Sequence, residues 1–161
     1  MGHTNSMDKK YINFVIFSLA ILMFHHKTLA DTDTNTILLT HKTPTCGCCK
    51  EWVRHAKNNG FEVNTQDHKN LEDIKKMYAI KPEYRSCHTT VSTNGFIFEG
   101  HIPAKYITQF LSEDHPNAIG LSVPGMPLGS PGMEFDDRFT PYDVLILYKD
   151  GSNKVFAEVR N

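Results

Sequence analysis

Apolar and polar positions along this chain recur in short blocks that predict alternating strands and helices. Ile37-Leu38-Leu39 suit a buried strand running from about Thr36 to His41. Glu51-Trp52-Val53-Arg54-His55-Ala56-Lys57 suit a helix from about Cys48 to Asn59, stopped at Asn59-Gly60. Phe61-Glu62-Val63-Asn64-Thr65 alternates as a second strand. Leu71, Ile74, Met77 and Tyr78 then fall at helical spacing, and Pro82 ends that helix. Thr89-Thr90-Val91-Ser92 and Phe96-Ile97-Phe98-Glu99-Gly100 flank Thr93-Asn94-Gly95, and Asn-Gly between β-prone runs is a hairpin signal. Pro103 opens a helix over Ala104 to Ser112 that carries Tyr106, Ile107, Phe110 and Leu111 on one face.

From Leu121 to Glu134 the periodicity disappears, and Gly or Pro stands at almost every second position. A loop this long is usually functional or disordered. Tyr142 to Tyr148 and Lys154 to Val159 pair across Lys149-Asp150-Gly151-Ser152 as a closing hairpin that could extend the sheet. The order βαβα then ββα is that of a thioredoxin or glutaredoxin core. The expected class is therefore α/β, a thioredoxin-like sheet with flanking helices and an added C-terminal hairpin.

The 161 residues make one domain the expectation, and a core of that size does not depend on disulfides. A net charge of -1 from 17 basic and 18 acidic side chains leaves no polybasic footprint, so nothing points to nucleic acid. Lys9-Lys10, an apolar run from Tyr11 to Phe24 and the Thr28-Leu29-Ala30 site together read as a signal peptide over residues 1–30. His25-His26-Lys27 closes the apolar run, which is short for a membrane span, so cleavage before Asp31 is expected and no stable anchor. Residues 31–35 form a polar lead, and 36–161 the folded domain. Export of this kind suggests a bacterial periplasm, where thiols persist oxidised, metal-bound or kept reduced by a partner.

Chemistry concentrates at Cys46-Gly47-Cys48-Cys49, at the step from the first strand to the first helix. Cys46 and Cys49 keep the C-x-x-C spacing of a redox site, and Cys48 adds a third thiol. A helix N-terminus favours the thiolate, which is both nucleophile and metal ligand. Structural disulfides are the plain alternative, but a C-x-x-C loop constrains the unfolded chain little, and adjacent cysteines pair poorly. Cys87, the fourth cysteine, stands in the loop entering the third strand, which in a thioredoxin core lies against the C-x-x-C turn. Met126 and Met133 repeat in matched Pro-Gly-Met contexts, and thioethers suit Cu(I) as readily as they fill core gaps. His88 follows Cys87 and on a strand would face away from it; His55 should face solvent or cap a packing contact; His41, His68 and His115 read as surface residues; Trp52 reads as core.

TPTCGCCKEWVRH, SCHTT, EGHIPA, GLSVPGMPLGSPGME and PYDVLIL occur in that order and resemble the CopG-type periplasmic copper-resistance proteins, a thioredoxin-like family. The resemblance spans about Thr36 to Val159. It implies a copper-binding protein whose thiolates bridge several copper ions, with a proposed copper oxidoreductase role and a periplasmic redox or copper-handling partner. Carried over by motif, its ligands fall on Cys46, Cys48, Cys49, Cys87, His101, Met126 and Met133. Thr90 departs from the alanine common after S-C-H-T. Sulfur-rich donors suit Cu(I), Zn(II) or an iron–sulfur cluster, and bridging thiolates favour a multinuclear Cu(I) site. The competing reading is a thiol–disulfide oxidoreductase with Cys46 as nucleophile and Cys49 as resolver. Passive copper storage or delivery shares the ligands of the first reading without turnover.

Overall fold

A computed structural model describes residues 36–160 of the chain, so the expected signal peptide and polar lead lie outside the described residues. Seven strands form one sheet in the order β2-β1-β3-β4-β5-β6-β7. They are β1 (Ile37–Lys42), β2 (Glu62–Asp67), β3 (Thr89–Ser92), β4 (Ile97–Glu99), β5 (Ala118–Ser122), β6 (Tyr142–Tyr148) and β7 (Asn153–Val159). The helices are α1 (Gly47–Asn58), α2 (Glu72–Met77) and α3 (Ala104–Ser112), with a 3-10 turn at Pro82–Tyr84. The pairings β1/β2 and β4/β5 are parallel, and the rest are antiparallel.

Several of the expectations need correction. Residues 118–122 form a strand where no periodicity announced one. The strand is five residues long, contains a glycine, and has an irregular register between Ala118 and Gly120. It also joins the C-terminal hairpin to the rest of the sheet, because β6 pairs with β5. His41 is 5% exposed and not a surface residue. Its ring packs beside His68 and Tyr78, the residue that follows α2.

The sheet carries apolar side chains on both faces. Leu38, Val63, Phe98, Leu121, Val144 and Ile146 pack with Trp52, Val53 and Ala56 of α1 and Ile107 and Phe110 of α3. Trp52, fully buried, donates its Nε1–H to Ile102 O at 2.9 Å, so it is core as expected. A smaller cluster on the other face holds Ile80, Ile97 and Leu147. Thr90 is accommodated because its hydroxyl meets that of Thr40 at 2.9 Å, directly opposite on β1. His115 stacks on Phe110 at 4.3 Å and is half-buried rather than at the surface.

His55 caps a packing contact, as one of its two expected roles required. Its Nε2 accepts the Ala104 N–H at 3.0 Å at the start of α3, so the ring must be neutral there. Burial lowers its pKa, with Glu134 opposing in part. A lowered folded-state pKa gives stability that is present above the unfolded value of about 6.5 and lost as pH falls through the folded value. The thermal midpoint of the metal-free protein is therefore expected to drop between pH 7 and 5. His55→Gln, which keeps an acceptor without titrating, should flatten that slope at a cost within the roughly 0.5–2 kcal/mol of a helix cap. An unchanged slope would remove His55 as the cause.

Candidate metal centre

Topology brings the chemistry-bearing residues to one end of the sheet. Since β3 runs antiparallel to β1 and β4 antiparallel to β3, the start of β3 lies beside the ends of β1 and β4. The Cys46 turn leaves β1 there, Cys87 and His88 enter β3 there, and His101 leaves β4 there. Parallel pairing of β5 with β4 delivers the Pro-Gly-Met loop to the same end. Missing β5 in the sequence meant missing the reason that this loop belongs to the site.

Cys46 is the N-cap of α1, and its Sγ accepts the Cys49 N–H at 3.3 Å. Cys46 and Cys49 are joined as a disulfide, while Cys48 and Cys87 are free. All four sulfurs lie within 4.8 Å of one another. Cys87 Sγ is the hub, 3.5 Å from Cys49 Sγ, 3.8 Å from Cys48 Sγ and 2.9 Å from His101 Nε2. Burial first, and then the neighbouring Cys48, push the Cys87 thiol up to about 12. An uncompensated thiolate is thus disfavoured at Cys87, and a cation would favour it.

The tautomer of His101 follows from its partners. Its Nδ1 lies 2.7 Å from the Pro131 carbonyl, which can only accept, so Nδ1 carries the hydrogen. Nε2 is left with a lone pair aimed at Cys87 Sγ, the form in which imidazole ligates a metal. Burial holds the His101 pKa below its ordinary value, which keeps Nε2 unprotonated and able to accept from the Cys87 thiol.

His88 is placed differently from the sequence reading. Cys87 and His88 precede β3, so strand alternation does not govern them. The His88 ring is fully buried between Trp52 and His101, at 4.7 and 4.9 Å between centroids. Its Nδ1 is 3.4 Å from Cys87 Sγ, and its Nε2 is buried without a hydrogen-bond partner. Burial, then His101 and Lys75, keep it neutral.

The Pro-Gly-Met loop docks through its glycines. A Cβ on Gly132 would lie 2.5 Å from Cys48 O, and φ is +84°, so only glycine lets the loop lie on the first turn of α1. Gly125 donates to Arg85 O at 3.0 Å and accepts from the Ser86 hydroxyl, beside Cys87. Met126 and Met133 each follow one of these glycines; Met126 is 52% exposed and Met133 is half-buried.

Sequence reasoning also missed a buried ion pair behind the site. Glu99, fully buried, accepts from Lys75 Nζ, from the Thr89 hydroxyl at 2.6 Å and from the Ser86 N–H at 2.6 Å. Lys75 is 5% exposed and also donates to Thr89 at 3.2 Å. Burial raises the Glu99 pKa while Lys75 and the hydrogen bonds pull it back. The only sequence signal was an acidic residue in an otherwise apolar β4.

A mixed α/β sheet with four sulfurs and an imidazole nitrogen against them at one end defines a thiol-rich class of protein whose donor set suits soft metals. Two solved structures of copper resistance protein CopG, Form 2 and Form 1, match at 37% identity, cover 78% of this chain and 98% of theirs, and give TM-scores of 0.73 and 0.72. The chain belongs to the CopG family. A family described as "Protein of unknown function, DUF411" matches residues 84–133, from before Cys87 to Met133. No curated protein matches. No helix among the described residues is long and apolar enough to cross a membrane.

Proposed function

We propose that this chain is an exported, periplasmic copper-binding protein of copper resistance, built on a thioredoxin-like core. In this reading Cys46, Cys48, Cys49 and Cys87, with His101, hold several Cu(I) ions through bridging thiolates. Met126 and Met133 add soft donors from the docked loop. The observation that carries the reading is the gathering of four sulfurs within 4.8 Å, a set too crowded for separate sites and suited to shared metals. The names of the two matched structures support copper. Lone-pair presentation by His101 and the unfavourable bare thiolate at Cys87 support a cation at this place.

The Cys46–Cys49 pair extends the reading to redox chemistry with copper as substrate. Two thiolates closing to a disulfide release two electrons, enough to take two Cu(II) ions to Cu(I). Reopening that disulfide then requires a reducing partner in the same compartment.

The second reading, thiol–disulfide exchange through Cys46 and Cys49, is favoured by the disulfide joining them. The full chain, reduced anaerobically and loaded with Cu(I), separates the two when its bound metal is counted by elemental analysis beside Cys48→Ser. Several coppers per chain, falling sharply in the variant, are expected. No retained copper, with disulfide exchange intact in Cys48→Ser, would leave the exchanger.

A further inference from the structure

A second pair of metal-ligating side chains stands outside the thiol cluster. His41, at the end of β1, and His68, immediately after β2, bring ring nitrogens Nδ1 and Nε2 to 2.9 Å, with ring centroids 5.1 Å apart. The two parallel strands hold them there. His41 opposes Gln66 in register, and the His68 N–H continues the ladder to Lys42 O at 2.9 Å, so residues 41, 66 and 68 share a face.

His41 is 5% exposed, and its Nε2 is buried without a hydrogen-bond partner. Tyr78 flanks the ring at 6.3 Å between centroids. Burial first, and then His68, disfavour the imidazolium at His41, so the 2.9 Å contact is a hydrogen bond between neutral rings in which one facing nitrogen donates and the other accepts. A metal between them replaces that hydrogen, which moves to the far nitrogen of its ring. His68 is half-buried and gives the pair access to solvent. The Lys42–Asp67 ion pair joins the same two strand ends and is neutral as a unit.

We propose that His41 and His68 form a second copper site that holds one Cu(I) ion between their facing nitrogens. Two metal–nitrogen bonds of about 2 Å need the nitrogens about 4 Å apart, so the rings open by about 1 Å around the ion. Zn(II) calls for a closed set of four ligands, which this pair does not supply, whereas Cu(I) accepts a low coordination number. The site also lies close to the cluster along the chain. His41 and Cys46 are five positions apart, which limits the distance to roughly 18 Å even at full extension. An ion taken up at His68 is therefore held on the segment that leads into the thiol turn. The choice of copper rests on the reading of the cysteine cluster; the pairing of the two ligands does not.

The experiment titrates the full, reduced chain anaerobically with Cu(I) alone, counting bound copper and following the imidazole nitrogens by NMR in the wild type, His68→Gln and Cys48→Ser. His68→Gln is expected to bind one copper fewer than wild type and to keep the thiolate-to-copper absorption. Cys48→Ser should lose cluster copper and still shift the His41 and His68 nitrogen resonances. Equal copper in wild type and His68→Gln, or nitrogen resonances that do not move in the wild type, would overturn the second site and leave the cluster untouched. A single copper in wild type, absent from His68→Gln and present in Cys48→Ser, would keep the pair and remove the cluster. Because the nitrogen shifts are read in the wild type, a misfolded variant does not rescue the proposal.

Discussion

Glu99→Gln should lower the thermal midpoint of the metal-free protein by roughly 10–20 °C, from a loss of about 3–5 kcal/mol when one member of a buried ion pair is removed. The glutamine is nearly isosteric, so the cost is electrostatic. Three donors converge on the carboxylate, from Lys75, Thr89 and Ser86. An amide satisfies at most part of that set and turns an N–H group toward another donor. Lys75 is left charged at 5% exposure without its counterion. Lys75→Met combined with Glu99→Leu should recover part of the loss, since it removes the uncompensated lysine charge, while the Ser86 N–H and the Thr89 hydroxyl lose their acceptor. Both variants touch the site. Glu99→Gln leaves the Ser86 N–H, next to Cys87, at most a neutral acceptor, and the double variant leaves it none, so cluster copper should fall in both. A Glu99→Gln midpoint within a few degrees of wild type in thermal unfolding would show that the pair does not hold this segment.

Cys87→Ser should cause the largest loss of copper of any single cysteine change. Cys87 Sγ approaches Cys48, Cys49, His88 and His101, and no other side chain in the centre touches so many donors. A serine hydroxyl is harder and does not bridge Cu(I) as a thiolate does. Copper per chain under anaerobic Cu(I) loading is expected to fall by roughly half or more, with the thiolate-to-copper absorption reduced in step. Cys87 is half-buried, so the folding cost should stay near the roughly 1 kcal/mol typical of point changes. Full copper retention in Cys87→Ser would contradict a hub role. Preserved disulfide exchange with no copper in either protein would favour the dithiol enzyme.

Much of this arrangement was legible in the chain. The thiol turn falls where a β run meets a helical one, and its helix begins at Gly47, within a residue of expectation. The Asn94-Gly95 hairpin and α3 were legible because turn chemistry and helical periodicity are local signals. β5 was not legible. A five-residue strand with a glycine and an irregular register has almost no period of its own, and it exists because β4 and β6 flank it. The histidines were misjudged for a related reason. His41 and His115 read as surface residues and His88 as facing away from Cys87, and only the elements packed over them bury them.

By itself the sequence determined the donor inventory and its order: a Cys46-Gly47-Cys48-Cys49 turn, a distant Cys87, His101 and two Pro-Gly-Met repeats. Those are matters of residue type and local spacing, which the linear chain carries in full. The tertiary structure decided which donors meet and in what state. Antiparallel and parallel strand neighbours bring four loops to one end of the sheet. The Pro131 carbonyl fixes the tautomer of His101, Lys75 and Glu99 anchor the Cys87 segment, and two strand ends set His41 against His68. Those depend on long-range contacts, where burial and the neighbouring dipoles, rather than the residue type alone, set protonation and reach.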